Sequence, residues 1–283
     1  MVAGFIRRLF GFFVATAVIA IPTHAAPPSE IGITRLDCGS VQANNLDLFS
    51  DTMAYVGQSR MLTVSCYLVR HGDDYLLWDP GLPASIKGAK ISASQPLGAT
   101  YTTSILEHLA TLGVKPDRIR FVAASHYHFD HIGQAADFPK ATLLIGEHDW
   151  KVLSSGGVKG MADPAMVTPW LTGGSKVEPV KGDKDVFGDG SVMMINLPGH
   201  TPGHHGLLVR LKQGGPMLLT GDLAHFTENY ESNGIPAFNA DRAASLASLD
   251  RFKKLAANLK ATVIIQHEPR DIAKLPPFPK EAR

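Results

Sequence analysis

Ser125-His126-Tyr127-His128-Phe129-Asp130-His131-Ile132-Gly133 is the stretch that decides how the rest of this chain folds and what it holds. It places three histidines and one aspartate within six residues, and neutral imidazole and carboxylate are ligands that Zn²⁺ and similar ions accept. The apolar run before it, residues 119–124, is typical of a buried strand. On an extended stretch His126 and His128 point to one side, whereas Asp130 and His131 diverge. The pattern therefore predicts two adjacent metal ions where a strand ends, rather than a histidine-rich surface loop or histidines satisfied within the core.

Three later apolar runs also end in a side chain that can bind a metal. Residues 192–195 precede His200, residues 218–220 precede Asp222, and residues 263–266 precede His267. Taken singly, each has a structural explanation, since a lone histidine is often a core residue and Asp222 could cap a helix. Their recurrence at successive strand ends favours one shared metal centre.

In this order, the motifs resemble the metallo-β-lactamase superfamily, and within it the N-acyl-homoserine lactonase branch. The resemblance runs from about Ile33 to His267, nearly the whole mature chain. It implies an α+β fold, an αββα sandwich in a single domain, with the metals at one edge of the paired sheets. The motifs that carry it are His126-x-His128-x-Asp130-His131, Trp78-Asp79-Pro80-Gly81-Leu82-Pro83 and Pro198-Gly199-His200-Thr201-Pro202-Gly203-His204.

The resemblance also implies the metal ligands and their grouping. His126, His128 and His200 would bind one ion, and Asp130, His131 and His267 would bind a second. Asp222 would bridge the two ions. Zinc is the expected metal for both positions, with manganese, cobalt or iron left open. Asp79 is implied to support the ligand loop by hydrogen bonding. The resemblance argues against β-lactam hydrolysis, because members that hydrolyse β-lactams generally lack the bridging carboxylate. Lactonases, glyoxalase II-like thioesterases and phosphotriesterase relatives keep it.

One position departs from the family pattern. Lactonases of this branch place a tyrosine three residues after the bridging aspartate, where it helps to bind and polarise the substrate, and this chain has His225 there. A histidine could donate a hydrogen bond in the same way, and its ordinary pKa suits acid catalysis. The alternative is that it only packs against the site. The candidate catalytic residues are thus Asp130, as a ligand rather than a free base, and His225, as a proton donor.

The N-terminus has the pattern of an export signal. Arg7 and Arg8 precede an apolar run over residues 9–21, and Thr23-His24-Ala25 is typical of a cleavage site. The apolar core is short for a membrane span, which disfavours a retained anchor; a twin-arginine signal is a further, partial match. Residues 1–25 are therefore predicted to be a signal peptide and residues 26–283 the hydrolase domain, exported to the periplasm or secreted.

The formal charge limits the kinds of partner that this chain can bind, and the two cysteines leave two redox states open. Removing residues 1–25 takes away two arginines and no acids, which moves the formal charge from +1 to −1. A balanced chain of this kind predicts no nucleic-acid partner and no stable membrane anchor after processing; a homodimer is left open. Cys38 and Cys66 both lie in apolar surroundings, so a disulfide, which export permits, and two buried thiols are both open.

The segments between the motifs predict further elements. A hairpin is expected over residues 61–69 and 75–78, helices over 102–112 and 240–259, and strands over 141–145 and 262–266. His148 lies outside the family motif and is interpreted as a local cap or a surface group.

Three irregular stretches carry apolar side chains and are long enough to border a site: residues 44–58, 154–175 and 225–238. They favour a pocket for an apolar tail such as an acyl chain, although the same side chains could fold back onto the core. The leading hypothesis is a dinuclear-metal hydrolase of lactones or esters, foremost N-acyl-homoserine lactones, which would quench quorum signals. A phosphotriesterase or arylesterase and a glyoxalase II-like thioesterase are the alternatives of the same fold. A β-lactamase and a redox di-iron enzyme are disfavoured, and a non-catalytic metal-binding protein is the alternative of a different class.

Overall fold

Two β-sheets face each other in the computed structural model, which describes residues 1, 2, 4 and 30–283. The signal peptide predicted over residues 1–25 lies outside these residues apart from positions 1, 2 and 4, so the division at residue 25 stays a prediction. Within the described part of the chain, no helix combines the length and the apolar character needed to cross a membrane.

The first sheet has seven strands in the order β4-β1-β2-β3-β5-β6-β7. Its strands are β1 (Ile31–Ala43), β2 (Arg60–His71), β3 (Asp74–Trp78), β4 (Leu97–Thr100), β5 (Ile119–Ala123), β6 (Thr142–Gly146) and β7 (Val177–Val180). β2 and β3 form the predicted hairpin, pairing antiparallel from Tyr67 opposite Trp78 to His71 opposite Asp74. From β3 onward the neighbours β5, β6 and β7 are parallel, so several strands end at the same edge of this sheet.

The second sheet has five strands in the order β12-β11-β10-β9-β8. They are β8 (Lys184–Asp185), β9 (Val192–Asn196), β10 (His205–Leu211), β11 (Gly215–Leu219) and β12 (Thr262–Ile264). β12 is shorter than predicted and pairs parallel with β11. The segments that follow β11 and β12 therefore leave the sheet side by side.

Six α-helices and seven short 3₁₀ helices connect the strands of the described chain. The α-helices are α1 (Ile105–Leu112), α2 (Phe129–Ile132), α3 (Glu147–Ser154), α4 (Thr168–Leu171), α5 (Thr227–Ser232) and α6 (Arg242–Leu259). The 3₁₀ helices are Leu46–Phe49, Ala84–Ile86, Pro116–Arg118, Ala135–Asp137, Pro164–Val167, Gly221–Leu223 and Pro269–Lys274.

The two predicted helices, α1 and α6, begin later than the periodicity indicated, and capping is the reason. Ser104 accepts a hydrogen bond from the Glu107 N–H, and the Glu107 side chain accepts one from the Ser104 N–H, a capping box that starts α1 at residue 105. Asp241 accepts from the Ala244 N–H, which starts α6 at residue 242.

Alternation along the strands separates three apolar layers, one between the sheets and one on the outer face of each. On β2, Cys66 and Leu68 pack outward against α1, whereas Tyr67 and Val69 join the core between the sheets. Phe252 of α6 packs on the outer face of the second sheet. The layers are thus helix, sheet, sheet and helix, which confirms the predicted αββα sandwich.

A disulfide joins Cys38 of β1 to Cys66 of β2, and both residues are fully buried. Of the two alternatives left open by the sequence, the structure has the disulfide. Gly81 lies directly against it: a Cβ added at Gly81 would stand 2.8 Å from Cys66 Sγ, and its φ of +58° already favours glycine. The disulfide therefore supports the turn that follows Asp79.

Asp149 of α3 joins that helix to the loop between β9 and β10. Its carboxyl group is fully buried and accepts hydrogen bonds from Thr201 Oγ1 and the Gly203 N–H, both at 2.7 Å. Burial raises the pKa of Asp149 to about 7, although these hydrogen bonds lower it. Its neighbour His148 is exposed, in agreement with its interpretation as a surface group.

The raised pKa of Asp149 gives the folding free energy a defined pH dependence. Because the folded state holds this proton up to about pH 7 and the unfolded chain releases it near pH 4, the contribution of Asp149 to stability is greatest at low pH. Relative to Asp149→Asn, the free energy of unfolding of the wild type should fall by about 2–3 kcal/mol between pH 5 and pH 8. Denaturant unfolding of both proteins with chelator present measures this; a difference that does not change with pH would contradict it.

Candidate metal centre and active site

The predicted ligands lie at one edge of the sandwich, in the segments that follow β5, β9, β11 and β12; Asp130 and His131 fall in α2, and Asp222 falls in the 3₁₀ helix Gly221–Leu223. The loop after β5 carries the 126–131 cluster and is held on two sides. The Ser125 N–H donates to Asp79 Oδ1 at 2.6 Å, and the Ser125 carbonyl accepts from the His205 N–H at 2.8 Å. The loops after β9, β11 and β12 bring His200, Asp222 and His267 to the same edge.

The first ligand group consists of His126, His128 and His200. His126 Nε2 lies 2.8 Å from His128 Nδ1, and His200 Nε2 lies 3.2 Å and 3.0 Å from these two atoms. All three side chains are buried. Three imidazole nitrogens thus converge on one point.

The second ligand group consists of Asp130, His131 and His267. His131 Nε2 and His267 Nε2 are 3.2 Å apart, and Asp130 Oδ2 lies 3.8 Å and 3.6 Å from them. Asp130 is the more exposed member, with 12% of its side chain accessible.

Asp222 stands between the two groups with one oxygen toward each. Its Oδ2 lies 3.3 Å from His200 Nε2 and 3.6 Å from His126 Nε2. Its Oδ1 lies 3.1 Å from His131 Nε2 and 3.0 Å from His267 Nε2. The structure therefore brings all seven predicted ligands together, in the grouping that the resemblance implied.

Hydrogen bonds on the far side of three rings decide which nitrogen carries the proton. His131 Nδ1 lies 2.9 Å from Asp79 Oδ2, and His267 Nδ1 lies 2.8 Å from the Thr63 carbonyl oxygen. His200 Nδ1 lies 2.8 Å from Asn239 Oδ1, whose amide nitrogen donates to Ser245 Oγ. Because these oxygens accept, each Nδ1 donates, and a ring that carries no second proton presents the lone pair of Nε2 to the ligand groups.

This arrangement fits divalent cations. Asp222 Oδ1 is buried and receives no hydrogen bond, although two ring nitrogens stand about 3 Å away. Lone pairs on nitrogen and oxygen thus face one another inside the protein, which is unfavourable without a shared positive charge. Nitrogen and carboxylate donors in such sets suit Zn²⁺ and its neighbours in the first transition row.

Burial and the neighbouring charges shift the pKa values of the site residues in opposite directions. Burial lowers the pKa of His126 and His128 well below the ordinary value, so both rings are neutral near pH 7. Burial opposes protonation of His131 too, but the Asp222, Asp130 and Asp79 carboxylates raise its pKa well above the ordinary value. For Asp222, burial acts upward, yet the surrounding histidines hold its pKa well below the usual range. The carboxylates of Asp222, Asp130 and Asp79 therefore favour positive charge at the second ligand group.

His225 also lies in the site, against Asp222. Its Nε2 stands 3.0 Å from Asp222 Oδ2, its Nδ1 is buried without a partner, and its ring stacks on His267 with 5.7 Å between centroids. Burial lowers the pKa of His225 to about 4 although Asp222 opposes this. The ordinary pKa assumed from the sequence does not apply here: the ring is neutral at pH 7 and can donate a hydrogen bond, not the proton of an imidazolium.

Three residues of the site had no predicted role. Asp149 holds the loop after His200, as described above. His204 Nδ1 donates to the Leu197 carbonyl at 3.0 Å, and its Nε2 accepts the Asp222 N–H at 3.0 Å. Gln266 donates to Asp79 Oδ2 at 2.7 Å. Position in the sequence gave a signal for two of them, because His204 ends the 198–204 motif and Gln266 directly precedes His267; no signal pointed to Asp149.

A cavity of about 280 Å³ opens onto Asp222, His225 and His267, and most of its wall is apolar. The apolar side chains that line it are Val41, Leu48, Phe49, Leu62, Leu97, Phe129, Met161 and Phe238. The sequence left open whether the apolar side chains of the three irregular stretches line a pocket or pack onto the core, and the structure shows both. They supply part of this wall, but other apolar members fold into the core, namely Leu46, Tyr55, Trp170, Phe226 and Ile235.

Comparison with known proteins agrees with this geometry. The model of the metallo-beta-lactamase superfamily matches residues 60–267, most of the chain. N-acyl homoserine lactonase AttM of Rhizobium radiobacter is 32% identical over 173 residues, which cover 58% of this chain and 64% of that protein. An N-acyl homoserine lactonase of Bacillus sp is 27% identical over 221 residues, covering 75% and 84%. The chain spans less than two thirds of the length of the AttM proteins of Rhizobium radiobacter, Azorhizobium caulinodans and Agrobacterium fabrum.

Two solved structures share the fold. A structure of an N-acyl homoserine lactone hydrolase with the product N-hexanoyl-L-homoserine at its catalytic metal centre has a TM-score of 0.76 at 22% identity, covering 90% of this chain and 100% of that one. The dizinc quorum-quenching lactonase AidC has a TM-score of 0.65 at 18% identity, covering 90% and 91%. Since the family model spans every ligand segment from Arg60 to His267, the chain belongs to the metallo-β-lactamase superfamily.

Proposed function

We propose that this protein is a dinuclear-metal hydrolase that opens lactone rings, foremost those of N-acyl-homoserine lactones, and so quenches quorum signals. The observation that carries the proposal is Asp222, which directs one oxygen to each ligand group at the floor of an apolar cavity. A polar centre beside an apolar wall suits a substrate with a small ester ring and an apolar tail. The names of the relatives described above support the same substrate class.

We propose the first ligand group for one ion, the second for the other, and Asp222 as the bridge. Zinc is the proposed metal because of the donor set and the dizinc neighbour; manganese, cobalt or iron is the alternative. When bound, such ions supply Lewis acidity and lower the pKa of water to about 7. Asp79, Asn239 and the Thr63 carbonyl hold three of the rings in the tautomer that this requires.

Asp130 and His225 are the proposed catalytic residues, in different ways. Asp130 acts as a ligand of the second group, since its Oδ2 already faces His131 and His267. His225 lies in the cavity wall with its Nε2 beside Asp222. We propose that its neutral N–H donates a hydrogen bond to a substrate oxygen, which is the part that the resemblance gives to tyrosine.

A substrate panel combined with Asp222→Ala tests the proposed function. We expect kcat/KM of the wild type to be highest on acyl-homoserine lactones and to rise from short to medium acyl chains, because the cavity wall is apolar. Asp222→Ala should bind only one ion by elemental analysis and lose more than about 100-fold in kcat/KM. Full activity of this variant with two bound ions would contradict the bridging role.

The same panel separates the alternatives. A higher kcat/KM on a paraoxon-type phosphotriester, an aryl ester or a thioester would favour the alternative enzymes of this fold, and fast turnover of nitrocefin would favour a β-lactamase. A protein that holds two ions and turns over none of these compounds would be a metal-binding protein.

Substitution of His225 tests its proposed contact with substrate. We expect His225→Phe to keep both ions but to lower kcat by about 100-fold, since the N–H is lost. His225→Tyr restores a donor and should recover part of the rate. If His225→Phe turns over lactone at the wild-type rate, His225 only packs against the site.

We also propose that the protein is exported and loses residues 1–25. The Cys38–Cys66 disulfide supports this, because such bonds persist in oxidising compartments. Expressed in a Gram-negative host, the full-length chain should appear in the periplasmic fraction with a shortened N-terminus by mass spectrometry. Recovery of the uncleaved chain from the cytoplasm would contradict export.

A further inference from the structure

We propose that Gln266 is a positioning residue that sets the second ligand group, by fixing the tautomer of His131 and seating the turn that carries Asp222. Nothing in the family motifs pointed to this side chain. The inference rests on the metal-binding part of the proposed function. Gln266 couples the two sheets beneath the site, through hydrogen bonds to Asp79 and to Gly221.

Gln266 makes three hydrogen bonds in the closed interior. Its Oε1 accepts from Trp78 Nε1 at 2.9 Å and from the Gly221 N–H at 3.0 Å, and its Nε2 donates to Asp79 Oδ2 at 2.7 Å. Trp78, Asp79 and Gln266 are each at most 1% exposed. Two N–H donors require the amide oxygen on their side, so a reversed amide would set N–H groups against each other. The orientation of this amide is therefore determined.

The hydrogen bond that Gln266 Nε2 donates acts on His131 through Asp79. Asp79 receives a hydrogen bond on each oxygen, from Gln266 on Oδ2 and from the Ser125 N–H on Oδ1. It is thus an acceptor toward His131 Nδ1 at 2.9 Å, which places the proton on Nδ1. The lone pair of His131 Nε2 then faces Asp222 Oδ1 at 3.1 Å. Without the Gln266 donor, Asp79 Oδ2 loses the hydrogen bond that holds it in place as the acceptor for His131 Nδ1.

The hydrogen bond that Gln266 Oε1 accepts acts on Asp222 through Gly221. Gly221 directly precedes Asp222, has a φ of +55°, and is so enclosed that a Cβ there would stand 2.6 Å from His204 Nε2. Its N–H has Gln266 Oε1 as partner, and the next N–H, that of Asp222, has His204. One amide therefore ties the His131 arm of the first sheet to the Asp222 turn of the second.

The test compares Gln266→Met, which keeps the length and removes all three hydrogen bonds, with the matched control Trp78→Phe. That control removes one of the three bonds and leaves those to Asp79 and Gly221. Zinc binding is measured by competition with a chromophoric chelator, and thermal unfolding is measured on the metal-free proteins. A merely structural role would lower the melting temperature of both variants and leave both zinc affinities as in the wild type.

We expect Gln266→Met to bind the first zinc as the wild type does and the second about 10–100-fold more weakly. Trp78→Phe should bind both within about threefold of the wild type, even if it melts earlier. Wild-type affinity of Gln266→Met for the second zinc would overturn the inference. If the wild type itself binds only one zinc, the proposed dinuclear centre fails instead, whereas wild-type affinities of Gln266→Met for both zincs would refute only the role of Gln266.

A second measurement does not depend on a folded variant. In ¹⁵N-labelled wild-type protein loaded with zinc, the His131 resonances should show a proton on Nδ1 and none on Nε2. The reverse tautomer would overturn the inference.

Discussion

Mutual repulsion of buried lone pairs is the constraint on which the rest of this structure depends. Imidazole nitrogens stand 3.0 to 3.6 Å from the two oxygens of Asp222, where water has little access. Such a set is stable only with shared positive charge, supplied by protons or by cations. The raised pKa of His131 and the depressed pKa of Asp222 are two expressions of the same demand.

The sandwich meets this demand by hydrogen bonds that orient three of the predicted ligand rings on the side away from the site. The ligand loops leave strands of both sheets at one edge, and buried acceptors then orient the rings: Asp79 for His131, the Thr63 carbonyl for His267 and Asn239 for His200. Other buried groups hold the backbone of the same loops. The disulfide beneath Gly81 belongs to this support, since it packs under the turn that positions Asp79.

The spacing of residues 126–131 and the apolar runs before His200, Asp222 and His267 were sufficient to predict that these side chains converge and, with the family resemblance, to predict the sandwich. What could not be predicted are contacts between distant segments. Asp79 and Gln266 are 187 residues apart and share a hydrogen bond, which no local pattern records. The pKa of His225 depends on the burial of its ring, and the capping of α1 and α6 on side-chain hydrogen bonds. Whether an apolar loop residue joined the core or the cavity was likewise decided by packing.

Anomalous diffraction from crystals of the zinc-loaded protein tests the central claim most directly. Data collected above and below the zinc absorption edge should show two peaks, one among His126, His128 and His200 and the other among Asp130, His131 and His267. Asp222 should contact both. A single peak would contradict the account, and so would the absence of any zinc peak while the seven side chains keep their positions.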